Sequence, residues 1–267
     1  MGKYTGQTVL VTGATQGVGK AIAEAFAEAN AYVIVCGRNE VRLQNTKKQL
    51  LLKGAAAVFL YAFDFADAEG AKKALSNIQK DHKRIDILVN NVGDPSPFGN
   101  FFELSDEDWT RSYEINCMSM VRMVRGVLPC LCQSHTGRII NIASMSAVEP
   151  GMYNPHYVAA KAGMVAVSKY LSRALADKNI LVNAICPGTL TGDAWERNIR
   201  DFADRHSCGI GEARSIMEEQ EKKKVPLARM GSPEDVARLV LFLASDAADF
   251  ITGECICLDG GRGRSVL

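Results

Sequence analysis

Tyr157 and Lys161 stand four residues apart in Tyr157-Val158-Ala159-Ala160-Lys161, a spacing that on a helix brings both side chains to one face, one turn apart. A tyrosine ordinarily titrates near ~10, too high for acid/base work at neutral pH. A lysine ammonium beside it favours the phenolate, so the pair predicts a tyrosine with a lowered pKa. Ser144 follows the apolar run that ends at Ala143, and a hydroxyl there suits a substrate oxygen on which negative charge develops. Together the three describe proton exchange at the oxygen of a carbonyl/alcohol pair. Tyr157 would give the proton in reduction and take it in oxidation. A Tyr-x-x-x-Lys pair alone is a common pattern, and its weight comes from what surrounds it.

Thr12-Gly13-Ala14-Thr15-Gln16-Gly17-Val18-Gly19 joins a short β-branched run to an alanine-rich one. Gly13 permits a tight turn, Gly17 lets a pyrophosphate approach the backbone, and Gly19 lets a helix pack close to a sheet. The helix N-terminus then offers free N–H groups to phosphate. The spacing is GxxxGxG rather than GxGxxG, so the placement between strand and helix carries the reading. After the second strand comes Cys36-Gly37-Arg38-Asn39, with no acid until Glu40. An acid at that strand end binds the ribose 2′-hydroxyl of NAD(H), whereas an arginine suits a 2′-phosphate. Arg38 therefore favours NADP(H) over NAD(H), although Gln16 withholds a further basic group.

The elements that must position these residues alternate along the chain. Strand-like runs occupy Thr8–Val11, Tyr32–Cys36, Ala57–Phe63, Ile85–Val89, Arg138–Ala143, Ile180–Ile185 and Glu254–Leu258. Helical runs fill the spaces: Val18–Ala29, Val41–Lys53, Ala68–Lys80, Asp106–Leu131, Tyr157–Ala176 and Pro233–Ala244, the last with Ser232 as N-cap. Strands apolar on both faces and alternating with helices predict a parallel sheet covered on both sides. The expected fold is α/β: a doubly wound Rossmann fold with a seven-stranded parallel sheet. Residues 1–267 read as a single NAD(P)-binding domain, interrupted by a charged, helical insertion over about 189–230 that would act as a substrate lid.

Bulk properties exclude several classes. With 267 residues and 47% hydrophobic composition, a substantial core can be buried. A net charge of +1 lacks the basic excess of a nucleic-acid binder. No apolar stretch approaches transmembrane length, and no signal-peptide pattern opens the chain, so no membrane partner and a cytoplasmic location are expected. Cys130/Cys132 and Cys255/Cys257 are each spaced to share one face of a strand. Without CxxC pairs or histidines at zinc spacing, the eight cysteines read as buried small hydrophobes rather than a metal site.

The chain resembles the short-chain dehydrogenase/reductase family, in its single-domain branch, from about Gly6 to Gly261. The motifs that carry the resemblance are TGATQGVG (12–19), DF (64–65), NNVG (90–93), EIN (114–116), INIAS (140–144), YVAAK (157–161), NAICPG (183–188) and GSPEDVA (231–237). The resemblance implies an NAD(P)-dependent oxidoreductase. It implies that Asn116 completes a catalytic tetrad with Ser144, Tyr157 and Lys161, holding the long central helix so that water links Lys161 to solvent. It also implies that Lys161 binds the nicotinamide ribose, and that Asp64 and Phe65 meet the adenine. Asn91 and Gly93 would border the adenine ribose, and Pro187, Gly188 and Leu190 would flank the nicotinamide. Thr15, Gln16 and Val18 join the turn's glycines as cofactor contacts.

Departures from the family pattern point to specific places. Val92 replaces a smaller residue beside the cofactor, and Gly192 stands where a threonine is usual, which shifts the expected nicotinamide contact to Thr191. Substrate contacts are expected from Met145 and Ser146, from the Met152–His156 stretch, and from Trp195, which with Phe202 would form an apolar lid. Within the family the chain is similar to 3-oxoacyl-[acyl-carrier-protein] reductases. The substrate is thus a 3-oxoacyl thioester or a small ketone or alcohol. A catalytically silent cofactor-binding scaffold is the competing reading, though it gives no reason to keep the tetrad. Val121, Met123, Val124, Val127 and Leu128 give a helix more apolar than one core needs, and with the last strand they suggest a homotetramer or homodimer.

Overall fold

The computed structural model describes residues 2–264. Seven strands form one parallel sheet in the order β3-β2-β1-β4-β5-β6-β7. They are β1 (Thr8–Thr12), β2 (Tyr32–Gly37), β3 (Ala57–Ala62), β4 (Ile87–Asn90), β5 (Gly137–Ile142), β6 (Ile180–Pro187) and β7 (Cys255–Leu258). Central strands are buried on both faces, which is why they read as continuous apolar runs. One core packs α1 (Gly17–Glu28), α2 (Glu40–Leu52) and α9 (Pro233–Leu243) against the sheet through Ile22, Phe26, Leu43 and Val240. The other packs α3 (Ala68–Asp81), α5 (Ser119–Leu131) and α6 (Pro155–Ala174) through Leu75, Ile78, Val127 and Met164. Strand order reverses between β1 and β4, and the carboxyl ends that flank this point carry the glycine turn and Asn91–Gly93.

The predicted helix over 106–131 is not uniform. It runs as α4 (Asp106–Tyr113), a π turn over Glu114–Met118, and α5. Two side chains account for the widening. Asn116 Nδ2 donates to the Ser112 carbonyl at 3.0 Å, the acceptor that its own amide would use in an α-helix, and Ser119 Oγ donates to Ile115 O at 2.6 Å. Cys130 and Cys132 lie at the end of α5, not on a strand, so one is buried and the other exposed. The apolar surplus assigned to α5 is also spent internally: Met123, Val124 and Val127 are buried, and Val121 and Leu128 pack on the same core. Ser232 caps α9 as expected, in a reciprocal capping box with Asp235.

Between β6 and α9 the chain forms two successive helices, α7 (Asp193–His206) and α8 (Ile210–Lys224). They share a small core of Trp195, Ile199, Ala203, Ala213 and Met230. A bidentate Arg214–Glu196 ion pair at 2.7 and 2.6 Å joins them on the outside. Among the described residues no helix is long and apolar enough to cross a membrane.

Candidate active site

The glycine turn follows β1 with Gly13 at φ +64° and Gly17 at φ +53°, both in the region that glycine reaches without strain. A Cβ on Gly19 would stand 2.3 Å from Asn91 Nδ2 and 2.5 Å from the Gly13 carbonyl, so the helix could not approach so closely with any side chain there. Asn91 fastens the turn: its Nδ2 donates to Thr12 O at 3.0 Å and Gly13 O at 3.3 Å, and its backbone N donates to Thr12 Oγ1 at 2.9 Å. Gln16 supplies no side-chain cap to α1, which leaves the first-turn amides open to an anion. Its Oε1 instead accepts from Arg42 Nη1 at 2.8 Å. The sequence reading missed Arg42, whose signal was its place one helical turn beyond Arg38.

Lys161 is 2% exposed. Its ammonium donates to Ile142 O at 2.8 Å and Val92 O at 3.4 Å, and stands 5.9 Å from the centre of the Tyr157 ring. Gly93 lies against it: a Cβ there would fall 3.0 Å from Lys161 Nζ and 3.2 Å from Asn116 Oδ1. Asn116, fully buried in the π turn, accepts from the Asp94 amide and donates to the Asp94 carbonyl, both at 2.8 Å. The π turn thus presents a carboxamide to the loop after β4, and the loop is pressed against Lys161.

Ser144 lies two residues past β5 and accepts twice from Ser146, from its Oγ at 2.9 Å and its amide at 3.2 Å. The Ser144 hydroxyl shares a cavity with Tyr157 and, as a donor, favours its phenolate. The electrostatics differ from the sequence expectation. Burial pushes Tyr157 up to about 12, with the Ser144 hydrogen bond opposing it, and burial brings Lys161 down to about 8. Desolvation penalises phenolate and ammonium alike, and here it outweighs their mutual attraction.

Tyr157, Lys161, Ser144, Asn91, Gly93 and Val18 line one cavity of about 600 Å³, which Pro187, Gly188, Leu190 and Trp195 also border. Ser144, Pro187, Gly188 and Thr189 continue into a second cavity of about 390 Å³ with Met145, Ser146, Glu149 and Arg262. Not every expected residue comes to these cavities. Thr191 is exposed and its hydroxyl turns to Gly231 O at 3.4 Å, while Thr189 lines both cavities. Met152 is 87% exposed and lines neither. Arg38 and Asp64 are exposed on the carboxyl-end edge of the sheet, Asp64 closing a turn onto the Ala66 amide at 3.0 Å, and the Phe65 side chain is in the core. His156 is buried facing Trp109, away from Tyr157's surroundings. A C-terminal anchor was also missed: Arg262 donates to Thr189 Oγ1 at 2.6 Å and Glu221 Oε2 at 2.7 Å, tying α8 to the loop after β6.

Residues 13–262 match the family described as enoyl-(acyl carrier protein) reductase. The chain is 35% identical to the uncharacterized oxidoreductase YvaG of Bacillus subtilis, over 98% of this chain and 97% of that protein. It is 32% identical to the 3-oxoacyl-[acyl-carrier-protein] reductase of Aquifex aeolicus, over 97% of this chain and 98% of that one. Its fold is similar to L-sorbose reductase from Gluconobacter frateurii, solved with NADPH and L-sorbose, with a TM-score of 0.93, 31% identity and full coverage of both chains.

Proposed function

The chain belongs to the short-chain dehydrogenase/reductase family, whose members are NAD(P)-dependent oxidoreductases, and we propose that Tyr157 is the group through which it exchanges a proton with a carbonyl or secondary-alcohol oxygen. The observation that carries this reading is the convergence of Lys161 Nζ and Asn116 on Gly93, in the cavity where Tyr157 meets Ser144.

Ser144, itself accepting from Ser146, holds the substrate oxygen beside the Tyr157 hydroxyl. A Tyr157 raised to about 12 is a proton donor at neutral pH, which suits reduction. Lys161 lies within reach to stabilise the phenolate that forms and to pass a proton toward it. Asn116 acts by position: it holds Asp94, and so Gly93, against the ammonium. A bound nicotinamide dinucleotide supplies or accepts the hydride. The turn fits its pyrophosphate, since nothing stands within 4 Å of where a Gly17 Cβ would be and the α1 amides are uncapped. Gly13, Gly17, Gly19 and Asn91 would hold that end, and Pro187, Gly188 and Thr189 the nicotinamide end. Arg38, with Arg42 behind Gln16, supports NADP(H) over NAD(H), and L-sorbose reductase binds NADPH.

The substrate is a small ketone or alcohol, or a 3-oxoacyl thioester, closed over by the α7–α8 lid. An assembly of like chains through the exposed end of the sheet is part of the same reading. Phe250, fully exposed beside β7, supports it, and a monomer in light scattering would refute it. The direct test is Tyr157→Phe assayed with NADPH against a carbonyl panel that includes L-sorbose and a 3-oxoacyl thioester. Turnover is expected to fall by about a hundredfold or more; unchanged turnover refutes the assignment.

A further inference from the structure

Cys186 and Cys255 bring their sulfur atoms to 3.3 Å. The sheet sets this approach. β6 and β7 run parallel with Ala184 opposite Cys255 and Cys186 opposite Cys257, so all four side chains project from one face. Cys186 leans diagonally toward Cys255, beneath the core that α5 and α6 cover. Cys186 is fully buried and Cys255 is half-exposed. Cys186 directly precedes Pro187 and Gly188, which line both active-site cavities.

We propose that Cys186 and Cys255 are a reversible dithiol/disulfide site that takes a hydroperoxide, and that its oxidation slows the enzyme by displacing Pro187 and Gly188 in the wall of both cavities. An S–S bond of about 2.05 Å asks each sulfur to move about 0.6 Å from the observed 3.3 Å, and the diagonal register asks the two strands to shift with them. Cys255 is the sulfur a peroxide reaches. Its thiolate attacks one peroxide oxygen, the O–O bond breaks, and the product is a Cys255 sulfenic acid with one water. The Cys186 sulfur then attacks that sulfenic sulfur. The S–O bond breaks, and the departing hydroxide leaves with the Cys186 proton as a second water. Two thiols lose two electrons, and one hydrogen peroxide gains them. Cys186 in a disulfide is drawn toward Cys255 and pulls on Pro187 and Gly188, which shifts the cavity wall beside Ser144 and Tyr157.

The chemistry of the pair stands apart from the proposed activity, and only its effect on turnover rests on that reading. The test is to treat the full-length protein with hydrogen peroxide and map disulfides by mass spectrometry, in wild type and in Cys255→Ser and Cys257→Ser. The expected result is a Cys186–Cys255 link in wild type and in Cys257→Ser. Turnover falls about tenfold or more, is restored by dithiothreitol, and is unaffected by peroxide in Cys255→Ser. A link through Cys257, no link at all, or equal peroxide sensitivity in Cys255→Ser each overturns the proposal. So does a complete link with unchanged turnover. Failure of Tyr157→Phe to lose activity would refute the proposed proton carrier and leave the disulfide mapping intact.

Discussion

The Asn116 carboxamide closes a two-point hydrogen-bonded ring on the backbone of Asp94, accepting from its amide and donating to its carbonyl at 2.8 Å each. Asn116→Ala leaves two partly buried backbone groups of Asp94 without their partner and is expected to cost about 1–2 kcal/mol of stability. Asn116→Asp keeps the acceptor and loses the donor. If Asn116 positions the loop against Lys161, both variants lose turnover with NADPH affinity less affected, and Asn116→Asp loses less stability. Urea denaturation beside steady-state kinetics separates these. Loss of stability with unchanged turnover contradicts the positioning role.

Gly93→Ala tests the same junction from the other side. The added methyl would fall 3.0 Å from Lys161 Nζ and 3.2 Å from Asn116 Oδ1, so the ammonium must give way. The variant should fold, because only one methyl is added at a cavity wall, and its turnover should drop by about tenfold or more. Turnover at the wild-type level would show that Lys161 tolerates displacement.

Lys161 makes stability depend on pH in a defined window. Its pKa falls from 10.5 to about 8 in the folded protein, so between those values the unfolded chain holds more protons there, and stability rises with pH. Below pH about 8 the cost is constant, at about 3 kcal/mol. Tyr157 acts in the opposite sense. Raised from 10.0 to about 12, it holds its proton in the folded state longer than in the unfolded one, and stability falls as pH rises through that range. The expected outcome is that the difference in unfolding free energy between wild type and Lys161→Met shifts in favour of wild type from pH about 8 to about 10. A pH-independent difference would mean that Lys161 titrates normally.

Cofactor choice is expected to sit on two arginines. Arg38→Ala should weaken NADPH binding by about tenfold and leave NADH nearly unchanged, as the loss of a phosphate partner requires. Arg42→Ala frees Gln16 from its 2.8 Å bond and should reduce the same preference by a smaller factor. Fluorescence titration with both nucleotides measures each. Equal losses for NADPH and NADH would place neither arginine at a 2′-phosphate.

Much of this architecture was legible because its signals are local. Strands buried on both faces wrote themselves as apolar runs, and the glycine turn, Ser144 and the Tyr157–Lys161 spacing each sit at the end or start of one element. What escaped depends on partners far along the chain. The π turn follows from Asn116 bonding Ser112 and Asp94 instead of continuing a helix that its apolar period predicts. Thr189 lines the cavities while the Thr191 hydroxyl turns to Gly231, forty residues on, and nothing in the spacing reveals that. The direction of the Tyr157 shift was misjudged because a neighbouring charge is visible in a sequence and the depth of burial is not.

Residues 91–94 join the two ends of the site. Asn91 grips the glycine turn, the Val92 carbonyl receives Lys161, Gly93 makes room for it, and Asp94 is held by Asn116. This stretch works as a gauge block, setting the distance from the phosphate turn to the proton-handling residues by its length alone. One residue added or removed there would put both ends out of step together. The α7–α8 hairpin carries its own small core and is tied down at its roots by Glu221 and Thr189. Exchanging it is expected to leave the 91–94 gauge untouched, because none of its ties runs through that stretch.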